Sequence, residues 1–276
     1  MKLFLEFQKL SELVILIDHE GDLSHVSKCF SQLHNLRKLK IDVRGWHDKL
    51  YRKRPNPIND LGMIIGANPS LTHLELFQND GAGGNLSKIF DCIPSKSPLK
   101  LEHLSISDSF SDIRAIVPHA RSLTSITFCP NYSQILPVLH SNCIFPPIIQ
   151  TPYVEDCMIN YLRDNPRIVG LSVHNTYDEG ATIFEIMARH SASLTYFSTS
   201  AASFVNCLQY VRNELLLMQC TKLEQLIIWY DFYLGTDLDV SRELVSRQFA
   251  RCALLVLTYI SYRPWHCQLL LAYRVH

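Results

Sequence analysis

The chain has 276 residues, 47% of them hydrophobic and 19% charged, with 26 Lys+Arg against 26 Asp+Glu. That balance argues against disorder and gives no global field to draw in nucleic acid or an anionic membrane, so such binding would need a local patch. The length suits one large domain or two small ones, or a solenoid that grows by stacking instead of enlarging a single core.

The opening segment, MKLFLEFQKLSELVILID, is too interrupted by Glu6, Lys9 and Glu12 for a signal peptide, and no small-residue cleavage site follows. Within it, Leu10, Leu13 and Ile15 set out a spacing, L-x-x-L-x-L, that returns along the chain. The apolar stripe Leu23, Val26, Phe30 and Leu33 then predicts a helix. Leu36, Leu39 and Ile41 repeat the strand spacing before a basic insertion at 44–57, which ends in Pro55-Asn56-Pro57. A helical pattern over 59–67 precedes Leu71, Leu74 and Leu76. The glycine run Gly81-Ala82-Gly83-Gly84-Asn85 follows, and then Leu101, Leu104 and Ile106. A helix over 112–120 leads to Leu123, Ile126 and Phe128.

Between Ile126 and Leu171 the interval stretches to 45 residues, room for one degenerate copy around Phe145 and Ile148, where Pro146 and Pro147 spoil the pattern. A helix over 153–164 precedes Ile168, Leu171 and Val173, and one over 182–190 precedes Leu194 and Phe197. Helical stretches over 204–218 and 238–252 lead to Leu223/Leu226/Ile228 and Leu254/Leu257/Tyr259, and 261–276 is expected to cap the end. The run Ala253–Leu257, even with Tyr259 and Ile260 beyond it, is too short to span a bilayer. Nine cysteines, an odd count with no C-x-x-C pair, fit neither a zinc ribbon nor a secreted disulfide framework. Free thiols and a cytoplasmic or nuclear location, with no membrane partner, are the expectation.

A short strand with two anchors on one face, alternating with one helix per period, is the pattern of a solenoid whose neighbouring repeats share a core. The chain resembles leucine-rich-repeat proteins, whose motif continues L-x-x-L-x-L-x-x-N/C-x-L. Its asparagine stands at Asn79 and Asn131, with Asp18 and Asp231 in two other copies and residues such as Arg44 and Ala202 elsewhere. The resemblance implies an α/β horseshoe or arc with a parallel sheet on the concave face and helices on the convex face. It spans one domain, 1–276, with about nine repeats from Leu10 to Tyr259. The turns Asn68-Pro69-Ser70-Leu71 and Asn165-Pro166-Arg167-Ile168 are similar to those in fungal and plant F-box leucine-rich-repeat proteins. That group carries an F-box ahead of its repeats. With the first repeat at Leu10, such a module would have been lost or be supplied by another chain.

No catalytic residue is expected. His73-x-Glu75 matches half of a zinc deaminase motif but lacks the P-C-x-x-C partner, so no metal site or cofactor follows. The glycine run lacks the Lys-Ser/Thr of a P-loop and does not fit G-x-G-x-x-G. Neither G-x-S-x-G nor a recognisable cysteine nucleophile occurs, so an enzyme with its site in an insertion has no motif behind it. Arg44, Lys49, Arg52, Lys53 and Arg54, with Trp46 and Tyr51 among them, read as a solvated loop, the alternative being a nucleic-acid-binding patch.

Function is therefore expected on the outward strand positions. The first strand gives Glu12, Val14 and Leu16; the outward positions are charged near the start (Glu12, Lys38, Lys40, Asp42, His73, Glu75) and small or hydroxylated in the middle (Ser105, Ser125, Gly170, Ser172, Ser198). Toward the end they turn apolar or aromatic (Ile227, Trp229). Large aromatics bury much area at little entropic cost. Trp229 and Tyr196 are the first candidates for a protein-binding face, with Phe77, Ile227, His73, Glu75, Lys38 and Lys40 around them. The alternative for the Trp229 end is cover by the chain's own 261–276. The expected function is a non-catalytic protein-interaction scaffold. By resemblance it would recognise substrates for an SCF-type ubiquitin ligase, in complex with an F-box adaptor and a cullin.

Overall fold

In the stretch Lys38–Arg44 every second side chain, Leu39, Ile41 and Val43, is buried, while Lys38 is exposed and Lys40 and Asp42 are half-buried. That period of two makes the segment a strand with one face in the core. The computed structural model describes residues 9–18, 30, 32–44, 57–78, 86–93, 98–106, 114–128, 135–154, 156–175, 180–200, 219–230, 256–261 and 271–274. It is an α/β protein that divides into two compact units, Met1–Pro146 and Pro147–His276. Among the described residues no helix is long and apolar enough to cross a membrane.

The first unit holds strands β1 (Glu12–Asp18), β2 (Lys38–Arg44), β3 (His73–Gln78), β4 (His103–Ile106) and β5 (Ser125–Phe128). Each is parallel to the next. Registration is by like residue: Leu39, Leu74, Leu104 and Ile126 form one column, and Ile41, Leu76, Ile106 and Phe128 the next. All eight are buried, as are the leading anchors Leu36, Leu71, Leu101 and Leu123. Parallel neighbours cannot be joined by a hairpin, so a crossover must link each pair. Helix α1 (Pro57–Gly66) lies between β2 and β3, and a 3-10 helix, Leu86–Cys92, between β3 and β4. Between β4 and β5 a 3-10 turn, Arg114–Ile116, runs into α2 (Val117–Ala120). Helix α3 (Ile135–Ser141) follows β5.

In the second unit β6 (Ile148–Tyr153), β7 (Gly170–Asn175), β8 (Tyr196–Ser200), β9 (Gln225–Tyr230) and β10 (Val256–Ser261) are parallel in sequence order. β11 (Leu271–Arg274) runs antiparallel to β10. Helix α4 (Asp156–Asp164) buries Met158, Ile159, Tyr161 and Leu162, and α5 (Gly180–Arg189) buries Ile183, Ile186 and Met187. Both show the stripe of an amphipathic helix.

The structure corrects several sequence-based expectations. Of the helix expected over 112–120, the described part, 114–120, is a 3-10 turn plus one short α-helix, with Pro118 in its first turn. The helix expected from 153 begins at Asp156, because Tyr153 ends β6. The degenerate copy is a full strand, anchored by Ile149 and by the buried hydroxyl residue Thr151, which pair with Leu171 and Val173. Pro146 and Pro147 precede that strand and so remove nothing from its ladder, while the Pro147 carbonyl accepts from Val169 and Gly170 N–H. The helical stretches 204–218 and 238–252, and Leu23 and Val26 of the first stripe, lie outside the described residues.

Strand entries share a hydrogen-bond scheme that the leucine pattern does not announce. The carbonyls of Ser11, Arg37, Thr72 and Glu102 each accept two N–H groups from the next entry, and in the second unit those of Pro147, Val169 and Thr195 do the same. The triplet Ser-Leu-Thr occurs at 70–72, 122–124 and 193–195. Thr72, Thr124 and Thr195 donate their hydroxyls to Arg37, Glu102 and Val169 carbonyls. Ser122 and Ser193 donate to the carbonyls of Leu101 and Ile168.

Candidate interaction face

Parallel, in-register pairing lines the outward residues of the first unit into rows, because equivalent positions face each other across every pair. One row runs Glu12, Lys38, His73, His103 and Ser125, and the next Val14, Lys40, Glu75, Ser105 and Thr127. A third begins Leu16, Asp42, Phe77.

Neighbouring strands neutralise one another within these rows. Lys38 Nζ lies 2.8 Å from Glu12 Oε1, and Lys40 Nζ lies 3.4 Å from Glu75 Oε2. Lys40 also reaches over the Phe77 ring, 4.6 Å from its centroid, a cation–π contact at a half-buried position. The His73 and His103 rings stack with centroids 4.0 Å apart and a 32° tilt, and Thr72 Oγ1 lies 2.8 Å from His73 Nδ1. Burial first, then His103 and Lys38, push the His73 imidazole below the ordinary histidine range, against the pull of Glu102 and Glu12. Beside these polar residues, Val14 is 58% and Leu16 60% exposed.

The ion pairs are solvent-screened, so they set the surface pattern more than the stability. We expect Glu75→Gln to change unfolding free energy by less than about 1 kcal/mol, as read by urea denaturation.

In the second unit the outward positions differ from expectation. Gly170, Ser172 and Ser198 are buried, although each lies on the outward register. They are small residues between larger neighbours. Ile148, Gly170, Tyr196 and Gln225 form one row, and a Cβ on Gly170 would lie 3.3 Å from Ile148 Cγ2 and 3.4 Å from Tyr196 Cδ1. The row beside it runs Gln150, Ser172, Ser198 and Ile227. The glycine therefore lets Ile148 and the half-buried Tyr196 ring approach from either side, with half-buried Ile227 one row away.

Of the predicted residues, Lys38, Lys40, His73, Glu75 and Phe77 come together in the first unit, and Tyr196 and Ile227 in the second. Trp229 pairs with Ser200 and Ile260 in β9's register, and Arg44 ends β2, but their side chains lie outside the description. Lys49, Arg52, Lys53 and Arg54 lie outside it altogether, as do Trp46, Tyr51 and the glycine run 81–85. Alternation places Val14 and Leu16 on the outward register of the first strand, but the preference for large aromatic anchors passed them over, and Ile148 lay in the copy that the prolines obscured. Among the described residues no group of three or more His, Cys, Asp or Glu side chains could hold a metal ion. No family model matches the chain, and no curated protein matches its sequence.

Proposed function

We propose that this chain is a leucine-rich-repeat solenoid acting as a non-catalytic scaffold, with a protein partner held on its outward strand positions. The observation that supports this most is the charge pairing in the first unit. Lys38 and Lys40 are engaged by Glu12 and Glu75, while Val14 and Leu16 stand exposed beside them. A phosphate-binding face needs cations free to release counterions. Paired charges beside apolar side chains instead suit a protein interface, with an apolar anchor and polar surroundings. In its most specific form, drawn from the resemblance of the repeats, the partner is a substrate of an SCF-type ubiquitin ligase.

Affinity capture from native cell extract, read by mass spectrometry, tests this. An F-box adaptor with a cullin supports the ligase role; other proteins without them leave the scaffold and remove that role. A catch lost on nuclease treatment refutes the protein-partner reading and moves the site to the basic segment 44–54. For a captured partner, Phe77→Ala with Tyr196→Ala should weaken binding by roughly 10- to 100-fold, as measured by calorimetry, while circular dichroism stays unchanged. Affinity should fall less than about 10-fold between 50 and 200 mM salt, where several phosphate contacts would cost about 10³-fold or more.

A further inference from the structure

Each unit has a buried polar side chain just before a strand entry that reaches back to the preceding entry. Asn68, ahead of β3, accepts the Leu36 N–H through Oδ1 at 3.1 Å. His119, ahead of β5, accepts the Leu99 N–H through Nδ1 at 2.9 Å. His190, ahead of β8, accepts the Ile168 N–H through Nδ1 at 3.4 Å, and its Nε2 lies 3.2 Å from the Leu162 carbonyl. Asn68 is fully buried, and His119 and His190 are 2% and 4% exposed. Three side chains thus play one part, fastening a strand entry to the one before it.

The chemistry of the fastener differs. An amide oxygen accepts at any ordinary pH, but Nδ1 accepts only while the ring is neutral. In the imidazolium both ring nitrogens are donors, so Nδ1–H would face the Leu99 or Ile168 N–H, donor against donor, in a site with little water. Burial disfavours such a charge at both rings. His119 lies against the Phe90 ring, centroids 6.2 Å apart, and burial is the sole cause that lowers its pKa. At His190 burial lowers the pKa most, the hydrogen bond to Leu162 raises it, and the Arg189 charge lowers it further. Arg163 on α4 and Glu185 on α5 are ion-paired with each other at 3.3 Å.

We propose that the His119 and His190 seams are proton-operated, holding the Leu99 and Ile168 entries at neutral pH and releasing them in mild acid, while the Asn68 seam stays closed throughout. The sense follows from linkage. Both histidines are lowered in the folded chain, so their contribution is complete above the unfolded value of about 6.5 and is lost as pH falls through the folded value.

Hydrogen exchange on the full chain tests this, comparing the Leu99, Ile168 and Leu36 amides at about pH 7.5 and about pH 5.5 after correction for intrinsic rates. We expect Leu99 and Ile168 to lose protection in acid relative to Leu36 by several-fold and at most about 10-fold, the ceiling set by pH 5.5 lying about one unit below the unfolded value. Equal changes at all three amides would overturn the proposal. In His119→Asn and His190→Asn, where an amide oxygen takes about the place of Nδ1, the acid-induced loss should disappear at the matching amide, and its persistence would count against the proposal. Should a variant fail to fold, imidazole nitrogen shifts of the unaltered chain decide the matter. Rings still neutral at about pH 6 support the proposal, and ordinary titration near 6.5 overturns it.

Discussion

Gly62→Leu should lower unfolding free energy by about 3 kcal/mol or more, and Gly62→Ala by about 1–2 kcal/mol. Gly62 lies in α1 where that helix meets the 3-10 helix Leu86–Cys92. A Cβ on it would overlap Cys92 Cβ and lie 3.1 Å from the Ile89 carbonyl oxygen. The obstructing atoms are a Cβ and a backbone carbonyl, not the tip of a flexible chain, so relief requires a helix to move. Alanine normally gains about 1 kcal/mol over glycine within a helix, which offsets part of the cost. A double-mutant cycle separates the two effects. Where Cys92→Gly has removed the first obstruction, Gly62→Ala should cost less than about 0.5 kcal/mol in urea denaturation. An equal cost in both backgrounds would show that close approach to Cys92 is not the cause.

Asn68→Ala should cost about 2–4 kcal/mol. Besides accepting from Leu36 N–H, Asn68 donates through Nδ2 to the Ile64 carbonyl at 2.8 Å. Truncation leaves the buried Leu36 N–H without that acceptor, and an unmet buried donor costs more than the net worth of a hydrogen bond. Asn142 serves as a control. It makes a similar bond, Nδ2 to the Val138 carbonyl at 2.8 Å, but is exposed, so water replaces what Asn142→Ala removes. That substitution should cost less than about 0.5 kcal/mol. Thermal and urea unfolding of both variants check the contrast, and comparable losses would show that burial does not set the cost at Asn68.

The strands were legible because their signal is local and repeated. Apolar anchors two residues apart, led by a third, located β1 to β5, β7, β9 and β10, and Leu194 with Phe197 located β8 although Thr199 takes its last anchor position. Helices α1, α4 and α5 were legible within a few residues at their ends, since each carries its own apolar stripe. β6 was obscured because proline stands at 146, where the leading anchor belongs, and Thr151 takes the second core position. Helix α3 and the 3-10 helix Leu86–Cys92 were missed because each has only about two turns, too few for a periodic signal to emerge. The Ser-Leu-Thr triplets were present in the sequence. Their meaning needed the carbonyls they bond, which lie 21 to 35 residues away.

For the candidate face, alternation correctly put Lys38, Lys40, His73, Glu75 and Phe77 on the outward side of their strands. It could not show that Lys38 and Lys40 are already matched by carboxylates, because each partner sits on another strand and only the register joins them. Nor could it show that Gly170, Ser172 and Ser198 are buried on that side, since outward orientation is a property of one strand and exposure depends on its neighbours. By itself the sequence determined the period, the strand anchors and the side each residue faces, all set by backbone geometry and side-chain type within a few positions. Only the tertiary structure decided which charges cancel, which outward residues stay open, and which buried asparagine or histidine fastens one strand entry to another, because those depend on residues brought together from distant parts of the chain.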